Sequence, residues 1–202
     1  TIRQEIDDAA VAAGYPPGLS MVEINQKLSE DMPMIIGNDL RELYEEILAD
    51  ADQAAEEYFD LRTSAKVVIK SENINLPGFY APPEPGSDEA GIMPVNLGLS
   101  PLLINYNEHV FVHHETIPGH HTQVSLAQEL DLPNYQRFYC AHPAIQQYDL
   151  LMYAEGWALY GESLAWEMGL YEGEPLANLS RLRLLLLRTV RAVVDTGIHA
   201  KD

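Results

Sequence analysis

The sequence predicts a mainly α-helical fold with a small β element, and two patterns lead to this prediction. Apolar residues recur at helical spacing in the N-terminal part and again after the midpoint of the chain. Between these regions, Lys66–Lys70 is short and β-branched, and Ile92–Leu97 alternates, so both are strand candidates. We expect one region over residues 1–202, made of N-terminal helices (1–65), a strand and loop segment (66–105) and helices that carry the candidate site (106–202).

Three helices are predicted ahead of the strand candidates. Ile2–Ala13 and Leu19–Met32 have helical spacing, and Asn38 or Asp39 is a suitable N-cap for a long helix that ends near Leu61. An apolar stripe with a period of about 3.6 residues gives the long helix a buried face. The stripe consists of Leu40, Leu43, Tyr44, Ile47, Leu48, Ala51, Ala55 and Tyr58.

The remaining elements follow from proline, glycine and apolar spacing. Pro77–Gly91 is rich in proline and glycine and is expected to lack regular structure. The proline inside Ile92–Leu97 places that strand at the edge of a sheet. Three long helices are then predicted, at about Asn107–Glu129, Pro143–Met168 and Pro175–Ile198.

Composition excludes several classes of partner. The 12 basic and 31 acidic residues give a net charge of -19, which argues against binding to nucleic acid or to an anionic membrane surface. Cys140 is the single cysteine, so no internal disulfide forms. No apolar run approaches the ~20 residues of a membrane span.

The ends of the sequence bear on the expected location. The chain begins at Thr1 without a methionine and ends at Asp202 soon after a predicted helix, so we expect a portion of a longer polypeptide. Thr1–Gly14 is too charged for a signal peptide. A cytoplasmic location is therefore favoured, and secretion or a periplasmic location stays open if a missing N-terminus carries a signal. The oligomeric state is not defined by the sequence.

Histidines concentrate in one segment of the chain. Five of the seven lie within thirteen residues, at His109, His113, His114, His120 and His121. In the zinc-peptidase signature His-Glu-x-x-His, two histidines four residues apart share a helical face, and the glutamate activates the metal-bound water. Here the pair His114-Glu115 is present, but the fourth residue after the histidine is Pro118, which cannot bind a metal.

Two histidines compete for the place of the second ligand. On a regular helix His120 lies about 240° around the axis from His114. Pro118 and Gly119 would interrupt the helix and could return His120 to the face of His114. The alternative, His121, shares that face but lies about 10.5 Å from His114 along an undistorted helix. We favour His120 and keep His121 as the alternative.

A third ligand is expected from another helix. Glu155 and Glu162 lie seven residues apart on one face of an otherwise apolar helix, where a carboxylate is costly to bury unless it is paired or coordinated. In helix-based zinc sites of the glutamate type, the third ligand is a glutamate downstream of the histidine helix. Glu155 suits this role, and Glu162 would support a ligand or contact substrate.

The last predicted helix carries three further candidates. Arg191, Asp195 and His199 follow four-residue steps and therefore share a face. If this face lines the cleft, Arg191 could bind a substrate carboxylate and His199 or a tyrosine could stabilise an oxyanion. The alternative is a core helix with a solvated charged face.

The motifs His-Glu-Thr-Ile-Pro-Gly-His-His-Thr-Gln, Glu-Gly-Trp-Ala-Leu-Tyr-Gly-Glu and Arg-Ala-Val-Val-Asp-Thr-Gly-Ile-His occur in this order. Together they resemble the bacterial family catalogued as domain of unknown function 885, a distant relative of the helix-based zinc metallopeptidases. The resemblance spans roughly Pro77–His199 and implies a zincin-like fold of the glutamate (gluzincin) type. It also implies Zn²⁺ at His114, His120 and Glu155, with Glu115 as the general base.

The expected function is therefore zinc-dependent hydrolysis of peptide bonds. Glu115 would take a proton from the metal-bound water and deliver it to the leaving amine. Substrates would be peptides or small amides, and Arg191 in the cleft would favour carboxypeptidase or dipeptidase action. The alternatives are hydrolysis of a non-peptide amide or ester and a catalytically inactive scaffold or binding module.

Overall fold

The computed structural model describes residues 1–84, 86–100, 107–133, 137 and 148–200, apart from the side chains of 148–151. The chain is mainly helical with a small parallel sheet, as predicted. The helices are α1 (Ile2–Ala12), α2 (Met21–Asp31), α3 (Gly37–Tyr58), α4 (Glu108–Glu115), α5 (His120–Glu129), α6 (Tyr148–Glu167) and α7 (Pro175–His199); the strands are β1 (Val67–Ser71) and β2 (Gly91–Val95).

The first two helices form a small core with the start of α7. Helix α1 ends before Gly14, whose φ of 85° lies in the left-handed region that glycine adopts without strain. Helix α2 begins with a capping box between Ser20 and Glu23. Apolar side chains from the three helices close this core: Ile6, Ala9, Ala10, Tyr15, Ile24, Leu28, Leu179 and Leu182.

Helix α3 packs its apolar stripe against β2 and α4. Five of the predicted stripe residues are buried, whereas Tyr58 is exposed and donates its hydroxyl to the Glu167 carbonyl. The predicted N-cap at Asn38 or Asp39 is wrong, because α3 begins at Gly37 without a side-chain cap. The Gly37 N–H instead donates to the Leu97 carbonyl, a contact distant in sequence.

The two strands pair in parallel, with Val67 opposite Gly91. The carbonyl of Pro94 faces away from β1 and accepts from the Phe79 N–H at 3.4 Å. Because proline has no N–H, the reciprocal bond cannot form. Gly78 and Ala81 therefore pair with β2 only as isolated antiparallel bridges. The expectation of no regular structure in Pro77–Gly91 needs correction at these two bridges and at Gly91, where β2 begins.

The predicted helix Asn107–Glu129 is in fact two helices, α4 and α5. Both pack against α6, which in turn contacts α7. The predicted start of α6 at Pro143 and the single cysteine, Cys140, lie outside the described residues. Within the described part of the chain, none of the helices has a stretch that is long and apolar enough to cross a membrane.

Candidate metal centre

Three helices bring the predicted metal ligands together. His114 lies in the last turn of α4, His120 begins α5 and Glu155 projects from α6. Nε2 of His114 lies 3.4 Å from one carboxylate oxygen of Glu155, and Nε2 of His120 lies 3.7 Å from the other. One potential ligand atom from each residue falls within 4.8 Å of the others. Their assignment as ligands stays a prediction.

The donor set fits a zinc ion in chemistry and in size. Two imidazoles and one carboxylate form a ligand set found in catalytic zinc sites, which keep a fourth position open. Donors at about 2.1 Å from a tetrahedral ion are about 3.4 Å apart, close to the separations of Glu155 from the two histidines. His114 is buried, and Glu155 is half exposed, so the cluster is open on the side of Glu155.

The break between α4 and α5 depends on glycine at two positions. A Cβ on Gly119 would lie 1.9 Å from the His114 carbonyl oxygen, so no larger residue fits there without moving the backbone. On α6, a Cβ on Gly161 would lie 3.1 Å from the Cα of Gly119. These two glycines let α6 approach the break closely, and the break brings the ring of His120 to 4.9 Å from the ring of His114.

His121 lies on the other side of this segment. Its Nδ1 is 3.1 Å from the Tyr80 hydroxyl and 3.2 Å from the Ser125 hydroxyl, and its side chain is buried. It lines a cavity of about 600 Å³ between α3, β1 and the loop that joins them. This cavity adjoins His121 and not His120, so it does not open onto the cluster. The geometry therefore favours His120 over His121 as the second ligand.

Two further charged residues support His114. Nδ1 of His114 lies 2.8 Å from a carboxylate oxygen of Glu162, which is fully buried. Arg188 of α7 reaches the same oxygen at 3.2 Å. Burial lowers the pKa of His114, but its hydrogen bonds with Glu155 and Glu162 outweigh this effect and raise the pKa to about 10. Without a metal, the His114 imidazolium thus holds the two glutamates together.

Burial shifts the pKa values of His120 and Glu115 in opposite directions. Burial and the charge of His114 lower the pKa of His120 to about 4, so its ring is neutral, as a metal ligand must be. Burial raises the pKa of Glu115 to about 7, with added repulsion from Glu155 and Glu162. The Tyr80 N–H donates to the Glu115 carboxylate at 2.9 Å and holds it in place. A carboxyl with a pKa near neutrality can both accept and donate a proton.

Arg191 and His199 do not join the cluster in the described residues. The residues from 189 to 200 are all exposed, so the C-terminal half of α7 extends away from the other described helices. Nδ1 of His199 lies 3.1 Å from Asp195 on the same helix, and both side chains are more than two-thirds exposed. Their predicted catalytic roles have no contact here that supports them.

Sequence reasoning assigned no role to two residues that contact the site. Arg188 was one of several arginines on a leucine-rich helix, and its position three residues before Arg191 gave no indication that it would be half buried. Tyr80 lies in the loop-like segment Gly78-Phe79-Tyr80 and contacts Glu115 through its backbone N–H. A pattern of side chains cannot reveal a backbone contact of this kind. A signal was available only for Glu162, through its spacing from Glu155.

Comparison with known proteins identifies relatives without an assigned activity. Residues 1–202 match the family described as bacterial protein of unknown function, DUF885. No curated protein matches the chain. A crystal structure of a candidate lipoprotein from Colwellia psychrerythraea is 28% identical, with a TM-score of 0.77 over 98% of this chain and 34% of that one.

A second solved structure, a candidate lipoprotein of unknown function from Shewanella oneidensis, shares the fold. It is 20% identical, with a TM-score of 0.69 over 98% of this chain and 37% of that one. The chain thus spans little more than a third of the length of these two structures.

Proposed function

The chain belongs to the DUF885 family of bacterial proteins of unknown function, and we propose that it is the metal-binding part of a zinc-dependent hydrolase that cleaves peptide bonds. The observation that carries the proposal is the convergence of His114, His120 and Glu155 beside the carboxylate of Glu115. A zincin-like relationship is part of this proposal, since the ligand set and the adjacent glutamate resemble those of helix-based zinc peptidases.

Zinc, when bound by these three residues, supplies a Lewis acid and lowers the pKa of a coordinated water. Residues around the three ligands orient them and offset the cost of buried charge. Glu162 accepts a hydrogen bond from Nδ1 of His114, which fixes the ring so that Nε2 faces Glu155. Arg188 pairs with Glu162 and offsets the cost of burying that carboxylate.

Glu115 is the proposed general base and acid. It follows His114 directly, and the Tyr80 N–H holds one of its oxygens. Its pKa of about 7, raised by burial, suits a group that takes a proton from water and returns it to a leaving amine.

The substrate class and the location are proposed on separate grounds. Carboxypeptidase or dipeptidase action was expected from Arg191, which is exposed on α7. Since the chain spans about a third of its solved relatives, residues outside it would complete a substrate cleft. The candidate lipoprotein status of both relatives favours a secreted or membrane-anchored setting over the cytoplasmic one expected from the sequence.

The test is Glu115→Gln, measured beside wild type and Glu108→Gln. Glu108 is a buried carboxyl on the same helix that contacts Ser100, so it controls for the loss of a buried charge. We expect Glu115→Gln to keep its zinc and to lose about 100-fold or more in peptide hydrolysis, since general acid–base catalysis contributes roughly 10²–10⁴-fold. We expect Glu108→Gln to keep activity.

The substrates are a panel of peptides with free and amidated C-termini, together with simple esters. Unchanged peptide turnover by Glu115→Gln would rule out the assigned base. Hydrolysis of esters alone would point to a non-peptide hydrolase. No turnover of any substrate by zinc-loaded protein that also carries the residues completing the cleft would favour an inactive scaffold.

A further inference from the structure

The segment between α4 and α5 has two consecutive backbone carbonyls that lie outside the hydrogen-bond pattern of both helices. Pro118 supplies no N–H, and α5 starts only at His120, so the carbonyls of Ile117 and Pro118 lie in the break. Both residues are buried, and a buried carbonyl needs a donor. The donors come from ring nitrogens on α4 and α6.

His113 of α4 supplies the first donor, and Trp157 of α6 supplies the second. Nδ1 of His113 lies 3.2 Å from the Ile117 carbonyl oxygen, with both groups buried. The indole Nε1 of Trp157 lies 2.9 Å from the Pro118 carbonyl oxygen. An indole nitrogen can only donate, so the second hydrogen bond has a fixed direction. The peptide group that carries the Pro118 carbonyl also carries the N–H of Gly119, directly ahead of His120.

Helix α6 therefore does three things within two turns. It presents Glu155 to both histidines, it holds the Pro118 carbonyl through Trp157, and it leaves room for Gly119 at Gly161. The contact between Gly161 and Gly119 sets the distance from the helix to the break, and the indole hydrogen bond sets the orientation of its peptide. The position of His120 relative to Glu155 follows from both.

We propose that Trp157 is a positioning residue for the metal centre: its indole N–H fixes the Pro118 peptide so that His120 faces Glu155 and His114. This inference rests on the proposed function in that the cluster must bind a metal. It assigns to the tryptophan of the Glu-Gly-Trp-Ala-Leu-Tyr-Gly-Glu segment a part in metal binding through His120, not direct ligation.

The substitution Trp157→Phe keeps an aromatic ring and removes the donor. Trp166→Phe is the matched control, because Trp166 lies on the same helix, is half exposed and packs over Arg181. Zinc affinity is measured by competition with a chelator, and the visible absorption of the cobalt(II)-loaded protein reports the geometry of the ligands. In a second variant, a benzothiophene ring replaces the indole of Trp157, which keeps its shape and removes only the N–H.

We expect roughly tenfold weaker zinc binding for Trp157→Phe and for the benzothiophene variant, since residues that orient ligands contribute 10–100-fold to metal affinity. We expect a changed cobalt spectrum in both and neither change in Trp166→Phe. Equal affinities and spectra for wild type and the two Trp157 variants would overturn this inference alone. No uptake of zinc or cobalt by wild type would overturn the proposed function and the inference with it.

Discussion

The candidate metal centre, with its supporting residues Glu162 and Arg188, and the C-terminal half of α7 both contain histidine, acidic residues and an arginine, but of these two described regions only the candidate centre is packed. Glu162 is fully buried and accepts from His114 and Arg188. Asp195 and His199 pair with each other while more than two-thirds exposed. A buried carboxylate without partners costs several kcal/mol, whereas an exposed ion pair contributes about 0–1 kcal/mol. Burial, which spacing does not reveal, thus separates the two regions.

The largest expected contrast lies in metal binding by two histidines. His120→Ala removes one of the three proposed ligands and should weaken zinc binding by about 100-fold or more, since zinc sites with four ligands are worth roughly 10–16 kcal/mol. His199→Ala should leave the affinity unchanged, because His199 contacts only Asp195 among the described residues. Isothermal titration calorimetry measures both. A loss of affinity in His199→Ala would mean that the C-terminal half of α7 reaches the site in solution.

Two of the arginines of α7 provide the next contrast. Arg188→Met removes the cation beside Glu162 and should weaken zinc binding by roughly tenfold, because the hydrogen bond that orients His114 is then less well supported. Arg191→Met, three residues further along, should have no effect on affinity. Chelator competition measures both variants. Equal affinities for the two would show that Glu162 needs no cation to orient His114.

The buried His121 should contribute to the stability of the fold and not to zinc binding. His121→Ala removes a buried ring and its contacts with the Tyr80 and Ser125 hydroxyls, so the free energy of unfolding should fall by about 2 kcal/mol. Zinc binding should persist, since His121 lies outside the cluster. Urea titration of the metal-free protein measures the loss. If His121→Ala instead lost its zinc and kept its stability, the choice of His120 as ligand would be wrong.

The smallest effect is expected at Glu129, at the end of α5. Its carboxylate accepts from the Thr63 and Ser64 hydroxyls and from the N–H groups of Ser64 and Ala65, which lower its pKa. Glu129→Gln should cost about 1 kcal/mol at pH 7. Asp195→Asn, in the exposed pair, is the control and should cost less.

The pH dependence of the Glu129 effect has a definite sign. The carboxyl has a lower pKa in the folded protein than in the unfolded chain, so its stabilisation is present above the unfolded pKa and is lost as the pH falls through the folded value. The difference between wild type and Glu129→Gln should therefore vanish in acid. A difference that stayed constant down to low pH would mean that the carboxylate charge is not its source.

Local signals predicted most of the fold. The helical spacing of Ile2–Ala13 and Leu19–Met32 and the apolar stripe of α3 act within a few residues, and the elements they define are close to those observed. The start of α3 could not be predicted, because Gly37 bonds to Leu97, sixty residues away in sequence. Long-range contacts of this kind decide where an element begins but leave no local pattern.

The candidate site was predictable to the extent that chemistry and spacing determine it. Pro118 and Gly119 marked the helix break, and the break brings His120 and not His121 toward His114. The four-residue steps of Arg191, Asp195 and His199 define a helical face, but they do not tell which neighbour covers it, so they did not indicate the contacts of α7. Arg188 contacts the site because α7 passes close to Glu162, and this tertiary contact leaves no pattern in the local sequence.

The most direct test of the metal centre is zinc X-ray absorption spectroscopy on the wild-type protein after dialysis against a stoichiometric amount of zinc. The fine structure distinguishes imidazole from other ligands by the scattering of the ring atoms. We expect one zinc per chain with two imidazoles and oxygen ligands at about 2.0–2.2 Å. Zinc that does not bind, or that binds without two imidazoles, would contradict a centre built from His114, His120 and Glu155.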